Sequence, residues 1–135
     1  MTEQTFVIIK PDAVAKGVVG DIVARYEAAG LRLVKAELRT IDGEFADRHY
    51  AEHLERDFYP PLRVFMTSGP LVAAVFEGDD AIATVRRING ATDPAAAAPG
   101  TIRADHATSV RENAVHGSDS VESAAAEQAL WFPTT

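Results

Sequence analysis

The chain has 135 residues, of which 47% are hydrophobic and 24% charged, so its length suits one compact domain with an apolar core. Its 20 acidic and 13 basic side chains give a formal net charge of −7, which repels nucleic acid on average. It contains no cysteine, which excludes disulfides and thiolate metal or redox chemistry.

The sequence shows neither a membrane span nor a secretion signal. No stretch reaches the roughly 18 consecutive apolar residues of a membrane helix. Residues 1–4 lack a basic region followed by an apolar run. We therefore expect a cytoplasmic protein without membrane or nucleic-acid partners. An anionic substrate would need basic residues that gather locally against the negative net charge.

Predicted strands and helices alternate through the first half of the chain. A central strand is predicted over residues 5–10, because the run is apolar and uninterrupted, and Pro11 ends it. A helix over residues 20–30 has one apolar face and closes on a glycine. A second strand is predicted over 31–38, followed by a helix with an acidic first turn over 42–54.

The second half begins at Tyr59-Pro-Pro61, which is expected to interrupt the chain before a short helix over 62–66. A buried strand over 71–76 comes next, and then a helix over 79–88 that two aspartates are expected to cap. Residues 91–114 predict a long connection with at most one helical turn, a length that is more often functional than idle.

The last strand and helix suggest the fold. A short strand is predicted over 113–116, and the capping-box spacing of Asp119 and Glu122 opens a helix that runs to about Leu130. The order of elements favours a single α/β domain of the α+β sandwich type over residues 1–135. In this ferredoxin-like split β-α-β arrangement, we expect a four-stranded antiparallel sheet covered by helices on one face.

Four histidines are candidates for chemistry. His49 and His53 are four residues apart on a predicted helix, a spacing that can chelate a metal, but no third ligand with matching spacing accompanies them. For these two and for His106 we expect surface or half-buried positions. His116 differs, since it ends a strand just before a helix whose N-terminus favours a phosphate. The residues alone leave a nucleophile and a structural histidine equally open.

Phosphate binding would depend on scattered donors, since neither G-x-x-x-x-G-K-[ST] nor G-x-G-x-x-G occurs after a strand. Arg86 and Arg103 flank the long connection, an arrangement that can bring two guanidinium groups onto a polyphosphate. Each arginine taken alone is better explained as part of a solvated surface. The complete set of candidate donors is Lys10, Tyr50, Arg86, Thr92, Arg103 and Asn113.

Six motifs occur in an order that points to a known family. They are Phe6-Val-Ile-Ile-Lys-Pro-Asp12, His49-Tyr50 with Phe58, Ser68-Gly-Pro70, Gly90-Ala-Thr-Asp-Pro94, Pro99-Gly-Thr-Ile-Arg103 and Asn113-Ala-Val-His-Gly-Ser-Asp-Ser120. The chain closely resembles nucleoside diphosphate kinase of the short bacterial type from Thr5 to Phe132. The most specific of these motifs is N-x-x-H-G-S-D-S, and its occurrence with K-P-D and P-G-T-I-R leaves little room for chance.

The resemblance implies a two-step transfer of the γ-phosphate of a nucleoside triphosphate to a nucleoside diphosphate through a phosphohistidine. His116 matches the nucleophile, Glu127 the acid that orients its imidazole, and Ser118 a hydroxyl that supports both. Lys10, Tyr50, Arg86, Thr92, Arg103 and Asn113 match the phosphate and sugar ligands of the family, and Lys10 and Asn113 also match contacts to the ribose hydroxyls.

The resemblance also implies how the base, the metal and the subunits are arranged. Phe58 matches the aromatic residue on which the base stacks, with Leu62 and Val110 on the other side, and a π-face accepts any base. Mg²⁺ is expected to bridge the phosphates, held by nucleotide and water rather than by direct protein ligands. The family further implies a homo-oligomer, most often a hexamer, with tetramers and dimers among bacterial members.

Two departures from the family pattern lie outside the matched catalytic positions, none of which is missing. Residues 56–58 read Arg-Asp-Phe where the family usually has Arg-Pro-Phe, so Asp57 could change affinity at the base cleft. Arg103-Ala-Asp-His106 replaces Arg-Gly-Asp-Phe, so His106 could change how the long loop packs at a subunit interface.

Two other functions compete with the kinase hypothesis. A scaffold that keeps the fold only to bind nucleotides or partners is disfavoured because His116, Lys10 and Arg103 are all present. A phosphocarrier that takes its phosphate from another protein is disfavoured because it would need neither Phe58 nor Asn113.

Overall fold

A four-stranded antiparallel sheet in the order β2-β3-β1-β4 organises residues 2–133, the part of the chain that the computed structural model describes. The strands are β1 (Thr2–Ile9), β2 (Arg32–Arg39), β3 (Leu71–Asp79) and β4 (Val115–Gly117). The helices are α1 (Pro11–Lys16), α2 (Val19–Ala28), α3 (Gly43–His49), α4 (Tyr59–Met66), α5 (Ala81–Asn89), α6 (Ile102–His106) and α7 (Val121–Trp131). The predicted four-stranded antiparallel α+β architecture is confirmed.

Helices cover both faces of the sheet, so the expectation of helices on one face was wrong. Side chains alternate along β1: Val7 and Ile9 pack with residues of α2 and α5, whereas Phe6 and Ile8 pack with residues of α3, α4 and α7. All four side chains are completely buried. An uninterrupted apolar run is what a strand between two layers requires, whereas a strand with one solvated face alternates with polar residues.

Several element boundaries differ from the predictions, and three of the differences have clear local reasons. Pro11 ends β1 and also starts α1. Proline fits the first helical position because an N–H at that position would have no partner within the helix. The same reason places Tyr59-Pro-Pro61 inside the first turn of α4. Asp80 has a φ of 50° and makes no side-chain cap on α5; Glu3 instead accepts a hydrogen bond from the Ile82 amide at 2.9 Å.

The end of the chain places α7 beside β1 and β4. Ser120, not the predicted Asp119, caps this helix by accepting a hydrogen bond from the Ser123 amide at 3.0 Å. The long connection contains one short α-helix, α6, in agreement with the prediction, and a 3₁₀ turn at Pro94–Ala96. Within residues 2–133, no helix combines the length and the apolar character needed to cross a membrane.

Candidate active site

The candidate nucleophile lies on β4, at the edge of the sheet. His116 is paired with Ile8 of β1 in the antiparallel ladder. The Ser118 amide donates to the Phe6 carbonyl at 3.0 Å, and the Phe6 and His116 ring centroids are 6.3 Å apart. Backbone pairing and ring packing therefore fix the direction in which the His116 imidazole leaves the sheet.

A carboxylate from α7 orients the imidazole. The Nε2 atom of His116 lies 2.8 Å from one carboxylate oxygen of Glu127, and the Ser118 hydroxyl donates to the other. Burial alone would raise the pKa of the Glu127 carboxyl, but the hydrogen bonds from His116 and Ser118 outweigh it and lower that pKa. An ionised Glu127 only accepts hydrogen bonds, so the neutral tautomer that fits this contact has its proton on Nε2 and its lone pair on Nδ1.

A second histidine shares this site. The His49 ring is 5.3 Å from the His116 ring between centroids, and its side chain is only 3% exposed. Burial and the neighbouring His116 lower the pKa of His49 to about 3, so it is neutral. His49 was not among the predicted site residues. The available signal was the His49-Tyr50 pair, which belongs to one of the matched motifs.

The cluster of His49, His116 and Glu127 brings its possible ligand atoms within 4.8 Å of one another, which is close enough to surround a metal ion. The Trp131 indole N–H, however, donates to Nδ1 of His49 at 3.0 Å. Neutral His49 must then carry its own proton on Nε2, the atom that lies 4.0 Å from Glu127. A metal bound to Nε2 would move that proton to Nδ1, which could then no longer accept the hydrogen bond from Trp131. The geometry therefore favours a hydrogen-bonded cluster over a metal site.

Lys10 and Asn113 meet beside the nucleophile. The Lys10 ammonium donates to the Asn113 side-chain oxygen at 2.8 Å, and both residues are buried. Burial and then the charge of Arg103 lower the pKa of Lys10 to about 8, while Asp12 partly opposes them. Burial deprives this ammonium group of solvating water. A bound anion would compensate for that loss.

The two candidate arginines have different surroundings. Arg103 on α6 donates to the carbonyls of Val115 at 2.7 Å, Gly90 at 2.9 Å and Asn113 at 3.3 Å, which ties the long connection to β4. Burial and the charge of Arg86 lower the pKa of Arg103. Arg86 on α5 is exposed, and its guanidinium makes no hydrogen bond or ion pair within the described part of the chain.

These groups line one cavity of about 850 Å³. Its cationic side chains are Lys10, Arg48, Arg86 and Arg103, and its carboxylates are Glu52, Asp119 and Glu127. The local balance is therefore positive although the chain has a net charge of −7, as expected for an anionic substrate. Tyr50, Thr92, Asn113 and His116 also line the cavity, so the structure brings the predicted phosphate ligands together.

The three residues matched to base binding lie outside the lining of this cavity. Phe58 and Val110 are 49% and 56% exposed, and Leu62 packs against the core beneath α4. The Phe58 ring does contact His53, at 5.4 Å between centroids, and His53 lines the cavity. Phe58 therefore stands at the rim, with its ring available to a flat ligand.

Of the two departures from the family pattern, His106 has clear contacts. Its Nε2 atom lies 2.8 Å from the Asp21 carboxylate of α2, and its carbonyl accepts a hydrogen bond from Lys16 at 2.6 Å. His106 thus holds α6 against α1 and α2. Asp57 is exposed.

Together, fold and site define a class of protein: an antiparallel α+β domain in which a carboxylate-oriented histidine faces a cationic cavity large enough for a nucleotide. The nucleoside diphosphate kinase family matches residues 3–135. A relative of that name from Nocardioides sp. is 60% identical over 133 residues, which cover 98% of each chain. One from Listeria monocytogenes is 54% identical over 130 residues, covering 96% of this chain and 88% of the relative.

Solved structures agree with the sequence relatives. The nucleoside diphosphate kinase of Aquifex aeolicus superposes with a TM-score of 0.95 at 44% identity, covering 98% of this chain and 96% of that one. The enzyme from Encephalitozoon cuniculi gives 0.95 at 37% identity, with coverage of 98% and 90%. The chain belongs to the nucleoside diphosphate kinase family, which confirms the resemblance predicted from its motifs.

Proposed function

We propose that the chain transfers the γ-phosphate of a nucleoside triphosphate to a nucleoside diphosphate through a phosphohistidine on His116. The observation that carries this proposal is the hydrogen-bonded chain of Ser118, Glu127 and His116. It leaves Nδ1 as the free nitrogen of an imidazole that lines a cationic cavity. A structural histidine would instead be expected to use both ring nitrogens in packing or hydrogen bonds.

The first step forms a bond between Nδ1 of His116 and the γ-phosphorus and breaks the bond from that phosphorus to the oxygen bridging to the β-phosphate. The nucleoside diphosphate leaves with the electron pair of the broken bond. The Nε2 proton stays on the ring, and Glu127 stabilises the positive charge that develops there. In the second step an oxygen of the acceptor diphosphate attacks the same phosphorus, and His116 leaves as the neutral imidazole.

The remaining cavity residues would bind the phosphates and neutralise charge that develops on the transferred group. Lys10, Arg86 and Arg103 supply positive charge, and Thr92 and Asn113 supply neutral polar groups. Burial raises the pKa of Tyr50, so its hydroxyl keeps its proton and can donate to a phosphate oxygen. Little covalent chemistry is left to these residues, because phosphoryl transfer depends mainly on positioning and charge.

We further propose Mg²⁺ as the divalent cation, held mainly by the phosphates of the nucleotide. Glu127 is committed to His116 and Ser118, and Asp119 accepts a hydrogen bond from the Ser123 hydroxyl at 2.6 Å. This donor set suits a hydrated ion, with Asp119 meeting its water shell, better than a direct carboxylate cage. Bound there, the ion would neutralise charge on the phosphates.

One radiolabelling experiment separates the candidate functions. The protein is incubated with γ-labelled ATP and Mg²⁺, isolated, and then offered GDP. Label that becomes attached to His116 and moves to GDP supports the kinase. Nucleotide binding without phosphoenzyme would support the scaffold, and a phosphoenzyme formed only from another phosphoprotein would support the carrier.

Turnover should depend on the ribose more strongly than on the base. Phe58 presents only a ring face, so GDP and CDP should differ by a few-fold, with purines ahead because they cover more of the ring. Lys10 and Asn113 are buried and would meet the ribose hydroxyls. A buried donor left unpaired costs about 1–3 kcal/mol, so a 3′-deoxy acceptor should lose roughly tenfold to hundredfold. Steady-state kinetics with GDP, CDP, deoxyguanosine diphosphate and a 3′-deoxy analogue measure both effects, and a larger effect of base exchange would contradict this binding mode.

Phosphoenzyme formation at low nucleotide concentration should fall as pH rises above about 8, the value to which burial lowers the pKa of Lys10. Below that pH the ammonium group is charged and attracts phosphate; above it the charged fraction drops about tenfold per pH unit. The control is Lys10→Arg, in which the guanidinium stays charged. Its rate should be lower but flat over this interval. An unchanged fall in that variant would show that another group titrates.

We also propose that residues 1–135 form one catalytic domain. This domain would assemble as a homo-oligomer, with a hexamer as the expected state and a tetramer as the alternative. Strand β2 is an edge strand, and Leu38 on it is 65% exposed. Unpaired edges with apolar side chains readily pair with another chain.

Since nucleotides of this class are cytoplasmic metabolites, we propose a cytoplasmic location.

Light scattering at micromolar concentration is expected to give a mass near six times the 14.5 kDa of one chain. A particle of 14.5 kDa would contradict assembly altogether, whereas a tetramer would contradict only the hexamer.

A further inference from the structure

Asp12, in the first turn of α1, is a buried carboxylate to which the transfer step proposed above gives no role. The residue is 8% exposed and does not line the cavity. One of its carboxylate oxygens accepts a hydrogen bond from the Ala114 amide at 3.1 Å, and the other is buried without a hydrogen-bond partner in residues 2–133, although the charged Lys10 is near enough to interact with the carboxylate. A buried carboxylate with so few partners is costly, so its place in the fold calls for a physical reason.

The residue that Asp12 contacts has an unfavourable backbone conformation. Ala114 has a φ of 72°, in the left-handed region, where its Cβ costs roughly 1–2 kcal/mol. The same residue is completely buried and lies two positions before His116. Such a conformation persists only where the surroundings hold it in place.

Both peptide groups of Ala114 are held from the start of α1. Its amide donates to Asp12, and its carbonyl accepts a hydrogen bond from the Lys10 amide at 2.8 Å. The Val115 amide closes a tight turn by donating to the Asn113 carbonyl at 2.8 Å. The turn over residues 113–115 therefore keeps its strained shape through contacts with residues 10–12.

This turn connects several of the proposed phosphate ligands. The Asn113 side chain accepts a hydrogen bond from the Lys10 ammonium at 2.8 Å. Arg103 donates to the carbonyls of Asn113 and Val115, the residues on either side of Ala114. His116 follows directly on β4. If Ala114 relaxed to a negative φ, these groups would lose their common alignment on the nucleophile.

We infer that Asp12 is a positioning residue: its hydrogen bond to the Ala114 amide holds the strained turn over 113–115 and thereby aligns His116 with Lys10, Asn113 and Arg103. This inference rests on the phosphotransfer function proposed above. Asp12 does not line the cavity and acts through the turn; its charge also favours the protonated form of Lys10, an effect that Asp12→Asn removes while it keeps the hydrogen bond.

The decisive experiment compares three substitutions by single-turnover phosphoenzyme formation at saturating ATP. Asp12→Ala should slow this step roughly tenfold to hundredfold, since small misplacements of reacting groups have effects of that size. Asp12→Asn should stay within about threefold of the wild type, because an amide oxygen can accept the same hydrogen bond. Adding Ala114→Gly to Asp12→Ala should restore most of the rate, since glycine adopts a positive φ without a Cβ penalty. Ala114→Gly alone is measured as the control.

A second measurement tests the contact without activity. In nucleotide-free protein, hydrogen exchange of the Ala114 amide should be slow in the wild type and in Asp12→Asn, and fast in Asp12→Ala. If Asp12→Ala folds poorly, Asp12→Ser takes its place, because its hydroxyl is one bond too short to reach the amide.

The inference is overturned if folded Asp12→Ala reacts at the wild-type rate, or if Asp12→Asn is as slow as Asp12→Ala. It is also overturned if Ala114→Gly restores nothing. A wild-type protein that forms no phosphoenzyme would contradict the proposed function instead, and the exchange measurement would still decide whether Asp12 holds the turn.

Discussion

Replacing His116 with alanine is expected to abolish phosphotransfer, with a loss on the order of 10⁴-fold or more, while folding and nucleotide binding stay largely intact. Among the residues that match the family's catalytic and binding positions, only the His116 imidazole is a candidate nucleophile. Glu127 and Ser118 act through it. Its ring is partly exposed at the cavity wall, so its removal leaves the core unchanged. The assay is the transfer of label from ATP to GDP, with nucleotide binding measured by calorimetry.

A matched control for this variant is His106→Ala. His106 is bonded to Asp21 on α2, and it does not line the cavity. Its loss should change the rate by no more than a few-fold. Turnover above background in folded His116→Ala protein would mean that the phosphate is not carried on this residue, and the proposed mechanism would fail.

Replacing Arg103 with alanine should slow phosphoenzyme formation by about 10²- to 10³-fold, which is the effect of removing one preorganised donor from a transition state. The loss in rate should exceed the loss in nucleotide affinity, because the guanidinium acts on charge that develops during transfer. Arg103 also holds three carbonyls of the long connection and β4, so part of the loss will come from misalignment. Arg86→Ala should act in the same direction.

Two further variants make this comparison specific. Arg87→Ala is the control for Arg86→Ala, because Arg87 is the next residue of α5 but lies outside the cavity. The rate of this variant should stay within a few-fold of the wild type. Arg103→Lys keeps a charge but cannot span three carbonyls, so it should recover only part of the rate. A loss of affinity in Arg103→Ala without any loss of the rate at saturating nucleotide would assign this residue to ground-state binding alone.

Local patterns predicted most strands and helices, because apolar periodicity depends on neighbouring residues. The second helical layer was missed for a different reason. The apolar run of β1 indicates burial on both faces, but which helices cover each face depends on contacts between distant segments. The proline positions were misjudged because proline both ends a strand and starts a helix, as Pro11 does.

The candidate site, too, could be predicted only in part from the sequence. Motifs identified the residues that line the cavity, and the resemblance supplied their roles. The hydrogen bond between Trp131 and His49 could not be predicted, because it joins residues 82 positions apart. Neither could the backbone contacts of Arg103 or the strain at Ala114, since both arise only when α6 and α1 pack against β4.

The hydrogen bond between Trp131 and His49 also gives the protein a built-in optical reporter. Trp131 is the single tryptophan of the chain, it is 1% exposed, and its indole is bonded to the ring that stacks edge-on against His116. Indole emission is sensitive to nearby charge and to the protonation of its hydrogen-bond partner. Phosphate arriving on His116 would therefore change the fluorescence of one known residue. Each half of the reaction could then be followed in real time by stopped flow, without labelled nucleotide or a coupling enzyme.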